Sequence, residues 1–400
     1  MGKVCGNCPG DDSKIMKPLR IGISALDLNS NVGHLRAGVG LSVYQLIDKA
    51  IEADNECEFF IAVHPEFQVP THWAEQSRIN IIRPRPLLCR RRVVWQLIFA
   101  GLQAKKYKTD AWLATGSYGS LSGKDRQFVL VHDLLPITNS ELFGQRQVVA
   151  QSFAVRQTIP RARRIFTNSH HTKSEVMRVF GIPDERIVVL PFSVGHTLPV
   201  ATSEEVLGTS PSDLGIPFKR FFFALSTVEP RKDVGTILRA AALIRRQLED
   251  AECGIAIAGA KGWKTDSVFE TYTQLGLENL VTFLGYVPDE QIPILFAKSE
   301  AFLCASLTEG FGMPVLEAHI YGAPVICTTG GALKEVSGPG ALTFEPKDEQ
   351  ALAQNMIDVL ATPEQRQARV EKGREHAKSY SWVKCAEIVL ETIKQECQRK

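Results

Sequence analysis

Two glutamates, Glu309 and Glu317, stand eight positions apart in Thr308-Glu-Gly-Phe-Gly-Met-Pro-Val-Leu-Glu317. About eighty residues earlier, Val228-Glu-Pro-Arg-Lys-Asp233 carries the adjacent cations Arg231 and Lys232. A histidine, His132, closes the apolar run Phe128-Val-Leu-Val131. Carboxylates accept hydrogen bonds from hydroxyl groups, and fixed cations bind phosphates. A ligand with hydroxyls at one end and an anion at the other would use both sets.

The surrounding pattern says how these groups are held. Ala301-Phe-Leu-Cys-Ala-Ser306 reads as a buried strand, and Met313–Tyr321 reads as a helix with Pro314 in its first turn, where a missing N–H costs nothing. Glu309 then lies in a glycine-bordered loop and Glu317 on the following helix. Val315, Leu316, Ala318, Ile320 and Tyr321 crowd Glu317, and a carboxylate among them needs polar partners. Phe221–Thr227 is a second buried strand, followed by a helix with Val234, Ile237, Leu238, Ala241 and Ile244 at helical spacing. Asp233 is its expected N-cap. Arg231 and Lys232 thus meet a strand end and a helix N-terminus, an anion-binding arrangement. His132, at a strand's carboxyl end, faces the ligand side of a doubly wound sheet. Asp133 either orients the imidazole or serves as a turn residue.

The 400 residues exceed one comfortable core, so two domains are expected. A hydrophobic fraction of 44%, a charged fraction of 22% and a net charge of +2 fit an ordinary globular protein and argue against a nucleic-acid binder. No run approaches the roughly twenty apolar residues that span a bilayer, and no leader pattern is visible. Nine cysteines are scattered, with Cys253, Cys304 and Cys327 in apolar runs, which suggests reduced thiols and a cytoplasmic setting. Cys5 and Cys8 form a lone CxxC in a polar tail, without a second ligand pair.

The expected organisation is α/β throughout. Residues 1–17 read as a disordered tail. Strands are expected near 19–26, 58–63, 79–82, 111–114, 128–131, 164–167 and 187–190, with a first helix carrying Leu41, Tyr44, Ile47 and Ile51 on one face. Residues 192–218 read as a linker. Strands follow near 221–226, 254–258, 281–284, 301–305, 324–327 and 342–344, then helices over 364–378 and 381–396. Such alternation makes mostly parallel sheets covered on both faces.

The order "strand, Glu-Pro-Arg-Lys, helix; strand, Glu-x7-Glu, helix" resembles the family 4 retaining glycosyltransferases. The likeness runs from about residue 20 to 396 and is strongest over 221–345. Ile255–Trp263, Val281–Val287, Gly322–Gly331 and Glu335 support it by order and spacing. It implies the GT-B architecture, two Rossmann-like parallel-sheet domains facing across a cleft. Residues 18–200 would form the acceptor-side domain, completed by helix 381–396, and 201–380 the domain that binds the nucleotide sugar.

It also implies roles. Arg231 and Lys232 would stabilise the departing diphosphate, so no divalent metal and no cofactor would be needed; no Asp-x-Asp element is present. His132 would lie against the donor sugar. Glu309 with Phe311, Gly312 and Met313 would hold that sugar, and Glu317 the ribose hydroxyls. Tyr286 would lie beside the base, Lys261 near the donor, and Gly38 and Gly40 near the diphosphate and acceptor. Many members carry a basic residue just after that glycine loop, whereas Leu41 stands here. The family retains anomeric configuration, with the donor's own phosphate as base. Gly259-Ala-Lys-Gly-Trp263 is closer to mannosyltransferase-type members, which makes GDP-mannose the first choice of donor. The alternatives are an epimerase or hydrolase on this fold, and a non-catalytic nucleotide-sugar binder.

Two further segments invite a function. Gly38-Val-Gly40 is no dinucleotide fingerprint, since about a dozen residues separate it from the strand and Val43 occupies the third glycine position. Arg83, Arg85, Arg90, Arg91 and Arg92 precede Val93–Phe99 and then Lys105, Lys106 and Lys108. That segment reads as a solvated basic loop before a core helix, or as a peripheral contact with anionic lipid that would suit a lipid-linked acceptor. Other acceptors in view are a glycan and a small molecule.

Overall fold

The computed structural model describes residues 17–29, 38–85, 92–123, 126–194 and 201–399. The tail up to residue 16 with Cys5 and Cys8, the loop positions Asn31 and Gly33, and Arg90 and Arg91 lie outside the described residues.

Apolar β-branched and aromatic runs form the strands. Among the described residues the first sheet contains β1 (Arg20–Ala25), β2 (Glu58–Val63), β3 (Ile79–Ile82), β4 (Ala111–Ala114), β5 (Gln127–Val131), β6 (Arg164–Thr167) and β7 (Ile187–Val189), ordered 3-2-1-4-5-6-7. The second contains β8 (Arg220–Leu225), β9 (Cys253–Ala258), β10 (Val281–Gly285), β11 (Phe302–Cys304), β12 (Val325–Thr328) and β13 (Leu342–Phe344), ordered 10-9-8-11-12-13. All pairings within both sheets are parallel. Each sheet reverses its winding once, between β1 and β4 and between β8 and β11. In doubly wound sheets that reversal opens a crevice at the carboxyl ends, where ligands bind. This is the expected fold.

The helices bury one face each against the sheets. Leu41, Tyr44, Ile47 and Ile51 of helix Gly38–Ala53 are buried as expected. The last helix, Trp382–Gln398, packs against it. Trp382, Val389, Leu390 and Ile393 are buried there, and Trp382 Nε1 donates to the Val194 carbonyl at 2.8 Å. Glu396 pairs with Arg163 at 2.7 Å and Arg164 at 2.8 Å, so the chain's last helix is fastened to the first sheet.

The stretch expected as an irregular linker holds two short helical turns. Thr202 and Glu205 close a capping box on helix Ser203–Gly208, and Ser210 and Asp213 do the same for Pro211–Leu214. Serine or threonine three residues before an acidic residue is the signature of this motif, and it was readable in the sequence. Asp233 differs in detail from its expected cap. It sits at the N-cap of helix Val234–Leu243 in the left-handed region, φ 44°, with no side-chain cap bond. Its carboxylate instead accepts from the Thr236 hydroxyl at 2.7 Å.

Candidate active site

A cleft of about 1290 Å³ opens where the two sheets present their carboxyl ends to one another. From the first sheet it is lined by Asp27 after β1, Ser117 and Tyr118 after β4, and His132 and Asp133 after β5. The second sheet supplies Ser226, Thr227, Glu229, Arg231 and Lys232 after β8, Gly259 after β9, Tyr286 after β10 and Glu309 to Met313 after β11. Arg231 and Glu309 leave neighbouring strands on either side of the winding reversal.

Glycines let these loops approach. Gly259 has φ 137°, and a side chain there would collide with the Ser226 carbonyl. Gly312, at φ 100°, starts the helix Met313–Tyr321 in a conformation that other residues rarely adopt.

The densest polar cluster joins three sequence-predicted residues. Arg231 Nη1 donates to Glu309 Oε2 at 2.5 Å. Lys232 Nζ donates to Glu309 Oε1 at 2.6 Å, and Ser306 Oγ to the same oxygen at 2.8 Å. Arg231 also pairs with Glu229 at 3.0 Å and donates to the Thr308 carbonyl at 3.3 Å. Burial alone would raise the Glu309 pKa, but Lys232 and Arg231 outweigh it and hold the carboxyl down at about 2. Glu309 therefore anchors both cations while lining the cleft. Glu229, the first residue of the Glu-Pro-Arg-Lys element, and Ser306 complete this cluster; for Ser306 its place at a strand end was the only signal.

Glu317 is the opposite case. It lies on the cleft wall, half-buried, and has no hydrogen-bond or ion-pair partner among the described residues. Burial, and then the nearby charge of Asp289, push its pKa up to about 7. The partners its apolar surroundings call for are not supplied by the described residues.

His132 is 6% exposed, and its Nε2 meets the Thr115 carbonyl at 2.8 Å. A carbonyl can only accept, so Nε2 carries the proton and Nδ1 remains the acceptor. Burial lowers its pKa and keeps the ring neutral. Asp133 does not orient this ring: its Oδ1 accepts from the Leu135 N–H at 3.1 Å as a turn residue does. The Thr115 carbonyl and an edge contact with Phe192, centroids 5.8 Å apart, set the ring instead.

The remaining expectations divide. Gly38, Phe311, Gly312 and Met313 line the cleft, and Tyr286 stands on it at 58% exposure. Ser42 Oγ lies 3.5 Å from Met313 Sδ, so the first helix touches the start of the Glu317 helix. Gly40 and Lys261 are not on the cleft wall. Lys261 is exposed and its ammonium covers the Phe269 ring at 4.8 Å, although its backbone bridges Val228 beside the cation loop. Asn168 was missed: it is 5% exposed, lines the cleft, and its Oδ1 has no partner among the described residues. Its position right after β6 was the available signal.

Cys57, Cys253, Cys304, Cys327, Cys385 and Cys397 are free thiols. Among the described residues no group of three His, Cys, Asp or Glu side chains could hold a metal, and no helix is long and apolar enough to cross a membrane.

With this geometry in hand, similarity to known proteins can be weighed. The sequence pattern of the family "Glycosyl transferases group 1" matches residues 211–376. O-antigen chain mannosyltransferase B of Escherichia coli is 28% identical over 68% of this chain and 70% of its own. Serotype-specific mannosyltransferase WbdA of the same species is 26% identical over 65% of this chain, but this covers only 32% of WbdA. HepE of Anabaena, solved with UDP and glucose, superposes with a TM-score of 0.68 over 94% of this chain and all of its own, at 19% identity. Sucrose-phosphate synthase of Thermosynechococcus elongatus superposes at 0.71 over 96% of this chain and all of its own, at 16% identity. The chain has the GT-B fold, and residues 211–376 of its second half carry the match to the glycosyl transferases group 1 pattern.

Proposed function

We propose that this protein transfers a hexosyl group from a nucleotide-diphosphate sugar to a hydroxyl acceptor, with retention and without a divalent metal. The observation that carries this reading is the pairing of a preformed cation cluster, Arg231 and Lys232 on Glu309, with the unpartnered Glu317 in the same cleft. As the sugar leaves, positive charge grows at its anomeric carbon and negative charge on the diphosphate. Cations already held in place stabilise that change without reorganising. In this reading Glu317 takes the ribose hydroxyls, Tyr286 lies beside the base, and neutral His132 accepts from a donor-sugar hydroxyl. Residues 18–200 with 381–396 serve the acceptor, and 201–380 the donor.

GDP-mannose is the first donor to test, since mannosyltransferases are among the similar proteins. UDP-sugars come next, as HepE was solved with UDP and glucose. The acceptor is a glycan, a lipid-linked saccharide or a small molecule. In support of the lipid-linked choice, Ile98 and Leu102 are each 49% exposed one turn apart in the segment that ends in Lys105 and Lys106. This face would rest on anionic lipid.

Thermal shift with GDP, UDP and ADP in EDTA, followed by transfer from the matching sugar conjugate, tests the proposal. One nucleotide should raise the melting temperature by mass action, and its sugar should be transferred. Binding without transfer or hydrolysis would leave a non-catalytic binder. Product formed by hydrolysis or epimerisation alone would assign a different enzyme on this fold.

A further inference from the structure

Helix His170–Phe180 belongs to the first sheet's half of the molecule and follows β6. Its first-turn N–H groups have no partner within the helix, which gives that end a positive charge. Ser169 Oγ caps the Thr172 N–H at 3.0 Å, and two others are taken up from the other half. The His170 and His171 N–H groups donate to the two oxygens of Glu335 at 3.0 and 3.1 Å. Glu335 sits on the short helix Leu333–Val336 beyond β12. Two more bonds run in the same direction: the Ser169 and Thr172 hydroxyls donate to the Gly310 carbonyl at 2.9 and 3.3 Å.

These contacts converge on the cation anchor. Gly310 follows Glu309 directly, and a side chain at Gly310 would strike the His132 carbonyl. Ala332, three residues before Glu335, donates its N–H to the Glu309 carbonyl at 2.9 Å. One helix end of the first half thus grips two segments that meet at Glu309, and the four bonds from residues 169–172 to Gly310 and Glu335 require the two halves to face each other across the cleft.

We infer that Glu335 is a positioning residue, a latch that registers His132 of one half against the Arg231–Glu309–Lys232 cluster of the other. It touches neither cation and lies outside the cleft wall. Nucleotide binding, carried by Arg231, Lys232 and Glu317, should therefore survive its loss, while turnover should not. The turnover part rests on the proposed transfer reaction.

The test uses the full chain with Glu335→Ala and Glu335→Gln, the second keeping size but opposing an amide N–H₂ to one helix N–H. Hydrogen–deuterium exchange should show lost protection at 170–173 and 309–312 only, in both variants. The calorimetric Kd for whichever of GDP or UDP binds should stay within about twofold of wild type, while kcat falls about tenfold or more, as expected for losing charge-assisted bonds. Unchanged exchange in both variants would overturn the latch, and so would loss of protection throughout the chain in both, which would make Glu335 a stability residue. The exchange measurement needs no substrate. A wild-type protein that turns over no nucleotide sugar would sink the transfer reading and leave the latch still to stand or fall on exchange.

Discussion

The loop that carries Glu309 and the helix that carries Glu317 are separated by one turn of chain, yet they treat the same side chain in opposite ways. Glu309 meets two cations and a serine hydroxyl within 2.8 Å and is held ionised, with a pKa of about 2. Glu317 meets none among the described residues and is pushed to about 7. The chemistry follows from what each backbone segment faces. The loop leaves β11 at the winding reversal beside β8, so cations reach it. The helix carries its carboxylate to a buried place beside Asp289. Glu309 is thus committed to the cations, whereas Glu317 has no partner among the described residues.

The strongest way to break this comparison is Glu309→Ala. It leaves Arg231 and Lys232 close together without their shared anion, and loss of one partner from a buried pair costs about 3–5 kcal/mol. Urea melts should show that loss, and kcat should fall by about a hundredfold or more as the cations lose their position. Arg231→Ala should mainly lower kcat, by a comparable factor, with a smaller effect on nucleotide affinity. Equal, near-normal kinetics in both variants would remove the cluster from the mechanism.

Glu317→Gln sharpens the other half. It should weaken nucleoside diphosphate binding by about tenfold, the worth of a charged hydrogen bond. It should also raise the melting temperature of the ligand-free protein at about pH 8 by a few degrees, because an ionised carboxylate no longer has to be kept on an apolar wall. Binding lost together with stability would make Glu317 a packing residue.

The two carboxyls also predict opposite pH behaviour. Glu309 is lowered in the fold to about 2, so its contribution to stability is complete above the ordinary carboxylate value and fades as pH falls toward 2. Glu317 is raised to about 7, so its neutral form favours the fold at low pH, and that advantage is lost as pH climbs to 7. Acid melts of wild type and Glu309→Ala, and melts between about pH 5 and 8 of wild type and Glu317→Gln, separate the two slopes. The smallest effect belongs to Lys261→Ala, which should change donor kinetics by less than about twofold, since Lys261 is exposed and off the cleft wall.

Much of this was legible in sequence. Continuous apolar runs marked the strands of both sheets, because parallel strands are buried on both faces and leave no ambiguity of side. The strand-end positions of His132, Arg231, Lys232 and Glu309 followed from the same reading, since the fold puts all carboxyl ends at the cleft. What no pattern revealed was pairing across distance. Thr115 and Glu335 acquire their roles only through contacts that the sequence does not encode locally. Lys261 was misplaced for the converse reason: a motif near the site gave no information on which way its side chain points. Asp133 shows a third kind of failure, where adjacency to His132 suggested a partner and the turn claimed the carboxylate instead.

The central claim is that one unpartnered carboxylate and one preformed cation cluster together bind a nucleoside diphosphate. Calorimetry of GDP and UDP with wild type and Glu317→Gln, across about pH 6 to 8, tests it most directly. If ribose hydroxyls need ionised Glu317, wild-type affinity should rise with pH through about 7 more steeply than the variant's, with a proton released on binding that the variant does not release. Identical pH profiles and proton counts in the two proteins would contradict the account.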